Sequence, residues 1–242
     1  MTLRTLGWAS AWRLLKSELG LLIALVVVTG GVLGFVALAH AVGEGDTAGF
    51  DRAVMLALRQ AGNPAVALGP SWLPTVMRDL TALGGVAALT LLVLFTLSYL
   101  MLVGKRHAAL FLLVAVAGGL ALSNGLKVVF GRTRPDLVPG APVELSASFP
   151  SGHSMLSAVI YLTLGALLTR VEADPRARSF FVAVAVVLTL LVGGSRVWLG
   201  VHWPTDVLAG WCLGAAWAML CWMIALWLQR RGRIEPAGTA AA

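Results

Sequence analysis

The sequence has few charged side chains for its length, and this shortage excludes several classes of protein. Only 12% of the 242 residues are charged, whereas 59% are hydrophobic. A typical soluble domain is about a quarter charged, so an ordinary soluble globular protein is excluded. A disordered chain is excluded as well, because disorder requires low hydrophobicity and high charge.

Cysteine is equally scarce. The two cysteines, Cys212 and Cys221, lie in one apolar run near the end of the chain. Nine residues of helix separate them by about 13 Å, which is too far for a disulfide within that helix. We therefore expect no disulfide framework.

Long uncharged runs predict the fold class. Six runs have the length of a membrane-spanning helix, which needs roughly 17–25 mostly apolar residues. They lie within 19–43, 80–104, 107–126, 145–169, 179–195 and 207–229. The sequence thus predicts an all-α integral membrane bundle of six transmembrane helices. Residues 1–234 would form a single membrane domain, and residues 235–242 a disordered tail.

Two runs need separate interpretation. The uncharged stretch 60–77 contains several glycines and prolines that interrupt helices, so 45–79 is predicted to be an interfacial loop. That loop would carry short helices, one of them starting near Asp51. The run 19–43 could alternatively be a signal peptide cleaved near Ala41, but its apolar core is longer than the usual 7–15 residues.

The distribution of Lys and Arg predicts the orientation in the membrane. With the N-terminus inside, the inner segments hold eleven Lys and Arg and the outer segments seven. Four of the outer seven, Lys127, Arg132, Arg134 and Arg196, belong to a polar cluster with chemistry of its own. The positive-inside rule therefore places both termini in the cytoplasm and the cluster on the outer, periplasmic side of an inner membrane. The net charge of +7 suits anionic lipid. The basic residues form no single patch, so no nucleic-acid partner is expected.

The first part of the polar cluster closes the third span. Lys127 would lie in the last helical turn, and Gly131 and Pro135 would end the helix before Arg134. Taken alone, such cations could equally be side chains snorkelling at a helix end.

The second part, Pro150 to His153, opens the fourth span. Ser151 is suited to cap the helix, and Gly152 would let the backbone approach a ligand closely. Free N–H groups at a helix start bind phosphate. The alternative is an ordinary capped helix with an interfacial histidine.

The third part links the last two spans. His202 precedes a helix that would begin at Pro204, and Asp206 would lie in its first turn. The carboxylate could accept a proton from the nearer ring nitrogen, orient the ring and raise its basicity. Asp206 could instead be only a helix-start charge.

Together, the three parts indicate phosphate chemistry. They supply cations, a helix N-terminus and two histidines, one to attack phosphorus and one to protonate the leaving oxygen. A metal site is not expected, because Asp136, Glu144 and Asp206 have no multi-carboxylate spacing. A serine-hydrolase elbow is absent from the sequence.

These residues resemble the type 2 phosphatidic acid phosphatase superfamily. Its three motifs are Lys-x6-Arg-Pro, Pro-Ser-Gly-His and Ser-Arg-x5-His-x3-Asp, and they match 127–135, 150–153 and 195–206 at all eleven fixed positions. The resemblance implies that His202 forms a phosphohistidine, that Asp206 holds it, and that His153 protonates the departing oxygen and later activates water. It also implies a set of phosphate-binding residues: Lys127, Arg134, Ser151, Gly152 through its backbone N–H, and Arg196. No metal or other cofactor is implied.

The resemblance implies an enzyme that hydrolyses a phosphomonoester or diphosphate of a membrane lipid at the outer face. Undecaprenyl diphosphate, phosphatidylglycerol phosphate and phosphatidic acid are the candidate substrates, and an undecaprenyl-diphosphate-type or broad-range enzyme is favoured. The alternatives are a phosphotransferase of the same superfamily and a non-catalytic phospholipid transporter or binder. Soluble vanadium haloperoxidases share the pocket but not the six spans. Segment 136–149 is the expected headgroup entrance, and no oligomeric state follows from the sequence.

Overall fold

The computed structural model describes the backbone of residues 8–138 and 146–231, and the side chains from residue 19 onwards within those ranges. The predicted tail at 235–242 lies outside the described residues. So does 139–145, the central part of the expected headgroup entrance.

The described residues form eight helices and one small hairpin. In chain order they are α1 (Trp8–Glu44), α2 (Ala48–Ala57), β1 (Arg59–Gln60), β2 (Asn63–Ala67), α3 (Leu73–Ala82), α4 (Val86–Leu102), α5 (Arg106–Phe130), α6 (Gly152–Val171), α7 (Pro175–Trp198) and α8 (Pro204–Arg230). The antiparallel strands place Arg59 opposite Ala67. Gly62 forms the turn between them with φ of +80°, a conformation that glycine adopts without strain.

The predicted all-α, six-span bundle is confirmed, with a correction to the second span. Five helices have the length and composition to cross a membrane: α5, α6, α7, α8 and the part of α1 from Leu19 to Glu44. The sixth span requires α3 and α4 together, which meet at a 44° bend. Residues 73–79, predicted to belong to an interfacial loop with short helices, are instead part of the helix pair that makes up this span. The hairpin was not predicted, because strands of two and five residues are too short to show a periodicity.

The bend between α3 and α4 follows from close packing against α7. A Cβ at Gly84 would lie 2.2 Å from Cγ1 of Val192, so any residue larger than glycine would clash with α7 here. The Tyr161 hydroxyl on α6 donates to the carbonyl of Leu83 at 2.8 Å and satisfies a backbone group at the break.

Helix α6 lies at the centre of the bundle, packed against α5, α7 and α8, while α1 packs along α8. Tryptophans of α8 fill the space that glycines leave on its neighbours. Trp217 lies against Gly118 and Trp211 against Gly193. Their indole N–H groups donate to backbone carbonyls of α5 and α7. These glycines therefore serve packing within one chain.

Large apolar side chains on the outside of the bundle are exposed, as a lipid-facing surface requires. Val26 and Leu33 on α1 and Phe95 on α4 are more than 60% exposed. Exposing so much apolar surface to water is unfavourable, whereas apolar lipid tails can surround it without that cost.

The helix ends bring the three sequence motifs to one end of the bundle. Helix α5 ends at Gly131 in the left-handed conformation. Ser151 caps α6, accepting from the N–H of Ser154, and α8 begins at Pro204 with Asp206 in its first turn. These predicted helix ends are confirmed.

Candidate active site

His202 and Asp206 form the buried centre of the site. His202 Nδ1 lies 3.4 Å from Asp206 Oδ2, and the two residues are 1% and 0% exposed. The same carboxylate oxygen accepts from the Ser148 hydroxyl at 2.5 Å and from the backbone N–H of Trp203 at 3.0 Å. The predicted contact between the carboxylate and the nearer histidine nitrogen is therefore present, with two further donors fixing the carboxylate.

The other ring nitrogen of His202 faces a cation. Arg134 Nη1 lies 3.1 Å from His202 Nε2. A guanidinium can only donate hydrogen bonds, so Nε2 must be the acceptor. The ring proton then resides on Nδ1, which faces Asp206. The unprotonated nitrogen, the one able to attack phosphorus, points to the arginine that would bind the phosphate.

The electrostatic surroundings keep His202 neutral. Burial lowers the pKa of His202 from 6.5 to about 4, against the opposing hydrogen bond to Asp206, and the positive charge of Arg134 lowers the pKa further. At neutral pH the ring is therefore already in its nucleophilic form.

The predicted phosphate-binding cations converge on the same end of the bundle. Lys127, in the last turn of α5, donates to the carbonyl of Ala147 at 2.5 Å. A Cβ at Gly152 would lie 3.5 Å from Lys127 Cε, so this side chain runs along the start of α6. Arg196, buried in the last turn of α7, donates to the hydroxyl of Thr81 at 3.2 Å.

Arg134 is held by backbone and side-chain acceptors on both sides of the site. It donates to the carbonyl of Val201 at 2.8 Å, and to the carbonyl and hydroxyl of Ser146 at 2.9 and 3.0 Å. Arg134 therefore bridges the chain before α6 and the chain before α8, and these bonds fix its position relative to His202.

The start of α6 is attached directly to the start of α8. The N–H of Ser151 donates to the carbonyl of Asp206 at 3.0 Å. The Ser151 hydroxyl is buried and accepts from the N–H and the hydroxyl of Ser154 at 3.4 and 2.9 Å. His153 lies in the first turn of α6, so the helix that carries it is joined to the helix that follows His202.

Sequence reasoning missed three residues that complete the site, Ser148, Thr205 and Asp51, and it placed Arg132 in the polar cluster without giving it a role. Ser148 contacts both His202 and Asp206. Arg132 contacts Asp206 and Asp51, and Thr205 contacts Arg132 and Asp51. The available signal was Asp51 itself, a carboxylate in an apolar segment. Its partner is 81 residues away and could not be read from local spacing.

Within the described residues, His, Cys, Asp and Glu side chains form no group of three or more able to hold a metal ion. The two cysteines on α8 are free thiols. The cations that act on His202 are Arg134 and Arg196, and arginine can bind two phosphate oxygens at once through its planar guanidinium group.

Comparison with known proteins identifies the family. The model of the PAP2 superfamily matches residues 108–230. Phosphatidylglycerophosphatase B of Bacillus subtilis (strain 168) is 35% identical over 163 residues, which cover 67% of this chain and 80% of that protein. An undecaprenyl-diphosphatase of Sulfolobus acidocaldarius is 32% identical over 117 residues, covering 46% of this chain and 52% of that one.

A solved structure supports the same conclusion. The crystal structure of a transmembrane PAP2-type phosphatidylglycerolphosphate phosphatase from Bacillus subtilis matches with a TM-score of 0.75 at 31% identity. The match covers 85% of this chain and 98% of that one. The chain belongs to the PAP2 superfamily, and the resemblance indicated by the three sequence motifs is confirmed.

Proposed function

We propose that this protein is a metal-independent lipid phosphatase that works through a phosphohistidine at His202, on the outer face of the membrane. That the chain is a lipid phosphatase follows from its family and from the activities named for its relatives. The mechanism, the substrate and the side of the membrane are the proposal.

One observation supports the mechanism most strongly. Arg134 lies 3.1 Å from His202 Nε2 while Nδ1 faces Asp206. A phosphate oxygen bound by Arg134 would place phosphorus beside the unprotonated nitrogen. A mere phospholipid binder needs the cations but not a buried, neutral histidine oriented by a carboxylate.

The residues then divide the reaction into two steps. His202 Nε2 attacks phosphorus, and the P–O bond to the lipid breaks as His153 gives its proton to the departing oxygen. Asp206 balances the positive charge that develops on the His202 ring, and Lys127 and Arg134 stabilise the phosphate oxygens. Water, losing a proton to His153, then attacks phosphorus, the P–N bond breaks, and free phosphate leaves a neutral His202.

Phosphatidylglycerophosphate is the proposed first substrate, and undecaprenyl diphosphate the second. The relative named for the former aligns over 80% of its own length, whereas the relative named for the latter aligns over 52%. Both lipids present a terminal phosphate, so one set of cations can bind either.

Phosphate release by purified protein in detergent with EDTA tests the proposed activity. The assay compares the two lipids and phosphatidic acid, using wild type, His202→Ala and, as a matched control, His40→Ala, whose side chain is 73% exposed on α1. We expect wild type and the His40 variant to release phosphate and the His202 variant to release none. Equal release by wild type and His202→Ala would contradict the mechanism, and no release by wild type would contradict the activity.

The proposed orientation is tested separately by labelling in intact cells. Single cysteines replace Asp46, in the turn after α1, and Glu172, at the end of α6, in a chain without Cys212 and Cys221. A membrane-impermeant maleimide should label the cysteine at 46 in intact cells and the one at 172 only after permeabilisation. The reverse pattern would place the site on the cytoplasmic side.

A further inference from the structure

A second carboxylate lies behind the candidate catalytic centre. Arg132 donates from Nη1 to Asp206 Oδ1 at 2.6 Å and from Nη2 to Asp51 Oδ2 at 2.8 Å. Asp51 and Asp206 are both 0% exposed. One guanidinium therefore joins two fully buried carboxylates, which come from α2 and α8.

Asp51 also binds the start of α8 directly. Its Oδ1 accepts from the backbone N–H of Thr205 at 2.9 Å, and its Oδ2 accepts from the Thr205 hydroxyl at 2.7 Å. The Thr205 hydroxyl in turn accepts from Arg132 Nη1 at 2.8 Å. The residue next to Asp206 is thus fixed through both its backbone and its side chain.

The two oxygens of Asp206 consequently have different partners. Oδ2 faces His202 and Ser148, while Oδ1 faces Arg132. An arginine paired with Asp206 alone would neutralise the charge that the His202 ring needs during attack on phosphorus. Asp51 supplies a second negative charge that offsets the charge of Arg132. The two carboxylates and the arginine together therefore keep a net negative charge, which remains available to the His202 ring.

We infer that Asp51 and Arg132 are positioning residues for the phosphatase reaction. They hold Asp206 against His202 and preserve its negative charge, and so make helix α2 part of the working site. The inference rests on the proposed function. Neither Asp51 nor Arg132 is proposed to contact the lipid.

Conservative variants test the inference. Asp51→Asn keeps the shape and removes the charge. Arg132→Lys keeps the charge but has a single nitrogen in place of the two that contact Asp206 and Asp51. We expect kcat to fall by about 10–100-fold in each, the cost found when a residue that orients a metal-binding histidine or carboxylate is lost and applied here by analogy. KM should change less than about threefold, because the phosphate-binding cations are untouched. Asp46→Asn is the matched control. Asp46 lies five residues before Asp51 and its side chain is exposed, so this variant should behave as wild type.

The pH profile separates positioning from a merely structural role. The charged groups that face His202 and Asp206 are Arg134, Arg196, Arg132 and, behind Arg132, Asp51. Arg132→Gln removes a positive charge, which stabilises the protonated His202 ring and raises its pKa. The ratio of kcat/KM for this variant to wild type should therefore fall as pH decreases from 7 to 5. The same ratio for Asp51→Asn should not fall, because loss of a negative charge lowers that pKa.

The kinetic result for each folded variant either supports or overturns the inference. All variants are assayed with one substrate, so that titration of the substrate affects every pH profile equally. Size-exclusion chromatography and thermal melting identify the variants that fold. A folded Asp51→Asn with kcat within twofold of wild type would overturn the inference. A constant ratio for a folded Arg132→Gln would also overturn it. If Arg132→Gln does not fold, the double variant Asp51→Asn/Arg132→Gln replaces it, because it removes one buried charge of each sign and leaves the net charge unchanged. A kcat equal to wild type in that variant overturns the inference. An inactive wild type, or an active His202→Ala, would instead contradict the proposed function.

Discussion

Alanine at Gly210 should separate the two helices that position the histidines. Gly210, on α8, packs directly against the start of α6. A Cβ there would lie 2.8 Å from the carbonyl oxygen of Ser151, 3.0 Å from Cβ of Ser154 and 3.1 Å from the nitrogen of Met155. Two of these atoms belong to the backbone, so no change of rotamer can relieve the contact.

The size of the effect follows from these distances. An ordinary contact begins at 3.4 Å, so the start of α6 must move by about 0.6 Å. Overpacking of this kind costs about 1–3 kcal/mol of stability. A displacement of 1 Å in a catalytic group can cost about 100-fold in rate, so we expect kcat for Gly210→Ala to fall by about tenfold.

Steady-state phosphate release and thermal melting in the same detergent measure the two effects. Gly194→Ala is the matched control, because a Cβ there would meet no atom within 4 Å. It should leave kcat unchanged. If Gly210→Ala kept kcat within twofold of wild type and melted at the same temperature, close α6–α8 contact would not be what positions the site.

Three further predictions concern the same end and core of the bundle. His202, with a pKa of about 4, should remain neutral and carry its proton on Nδ1 at pH 5.5; ¹⁵N NMR of labelled histidine, assigned with His202→Gln, would refute this by showing an imidazolium. Ser148→Ala removes the 2.5 Å bond to Asp206. A hydrogen bond to a charged group contributes about 1.5–3 kcal/mol to stability, and loss of a similar amount from the transition state would lower kcat about tenfold or more with KM unchanged; an unchanged kcat refutes the role of the serine. Gly31→Ala should lower the melting temperature, because its Cβ would lie 2.5 Å from the carbonyl of Cys212; an unaltered melting temperature would show that α1 can move away from α8 at no cost.

Features set by neighbouring residues could be predicted from the sequence. The end of α5 at Gly131, the cap of α6 at Ser151 and the start of α8 at Pro204 all depend on local backbone chemistry. The spacing of His202 and Asp206 belongs to the same group, because a four-residue separation at a helix start fixes their distance within narrow limits.

Features set by distant contacts could not be predicted. The bend before α4 depends on Val192, more than a hundred residues from Gly84. The pairing of Asp51 with Arg132 depends on how α2 folds back over α8, and periodicity carries no information about that packing. In sequence, Arg132 resembles any cation at a helix end; only its two carboxylate partners distinguish it.

The most direct test of the central claim is to trap the covalent intermediate. Wild-type protein in detergent with EDTA would be mixed with phosphatidylglycerophosphate labelled on its terminal phosphate, quenched in alkali within milliseconds, and analysed by mass spectrometry. A phosphohistidine mechanism predicts an alkali-stable, acid-labile phosphate on His202 that is absent from His202→Ala. Label on another residue, or rapid turnover with no labelled protein at any quench time, would contradict it.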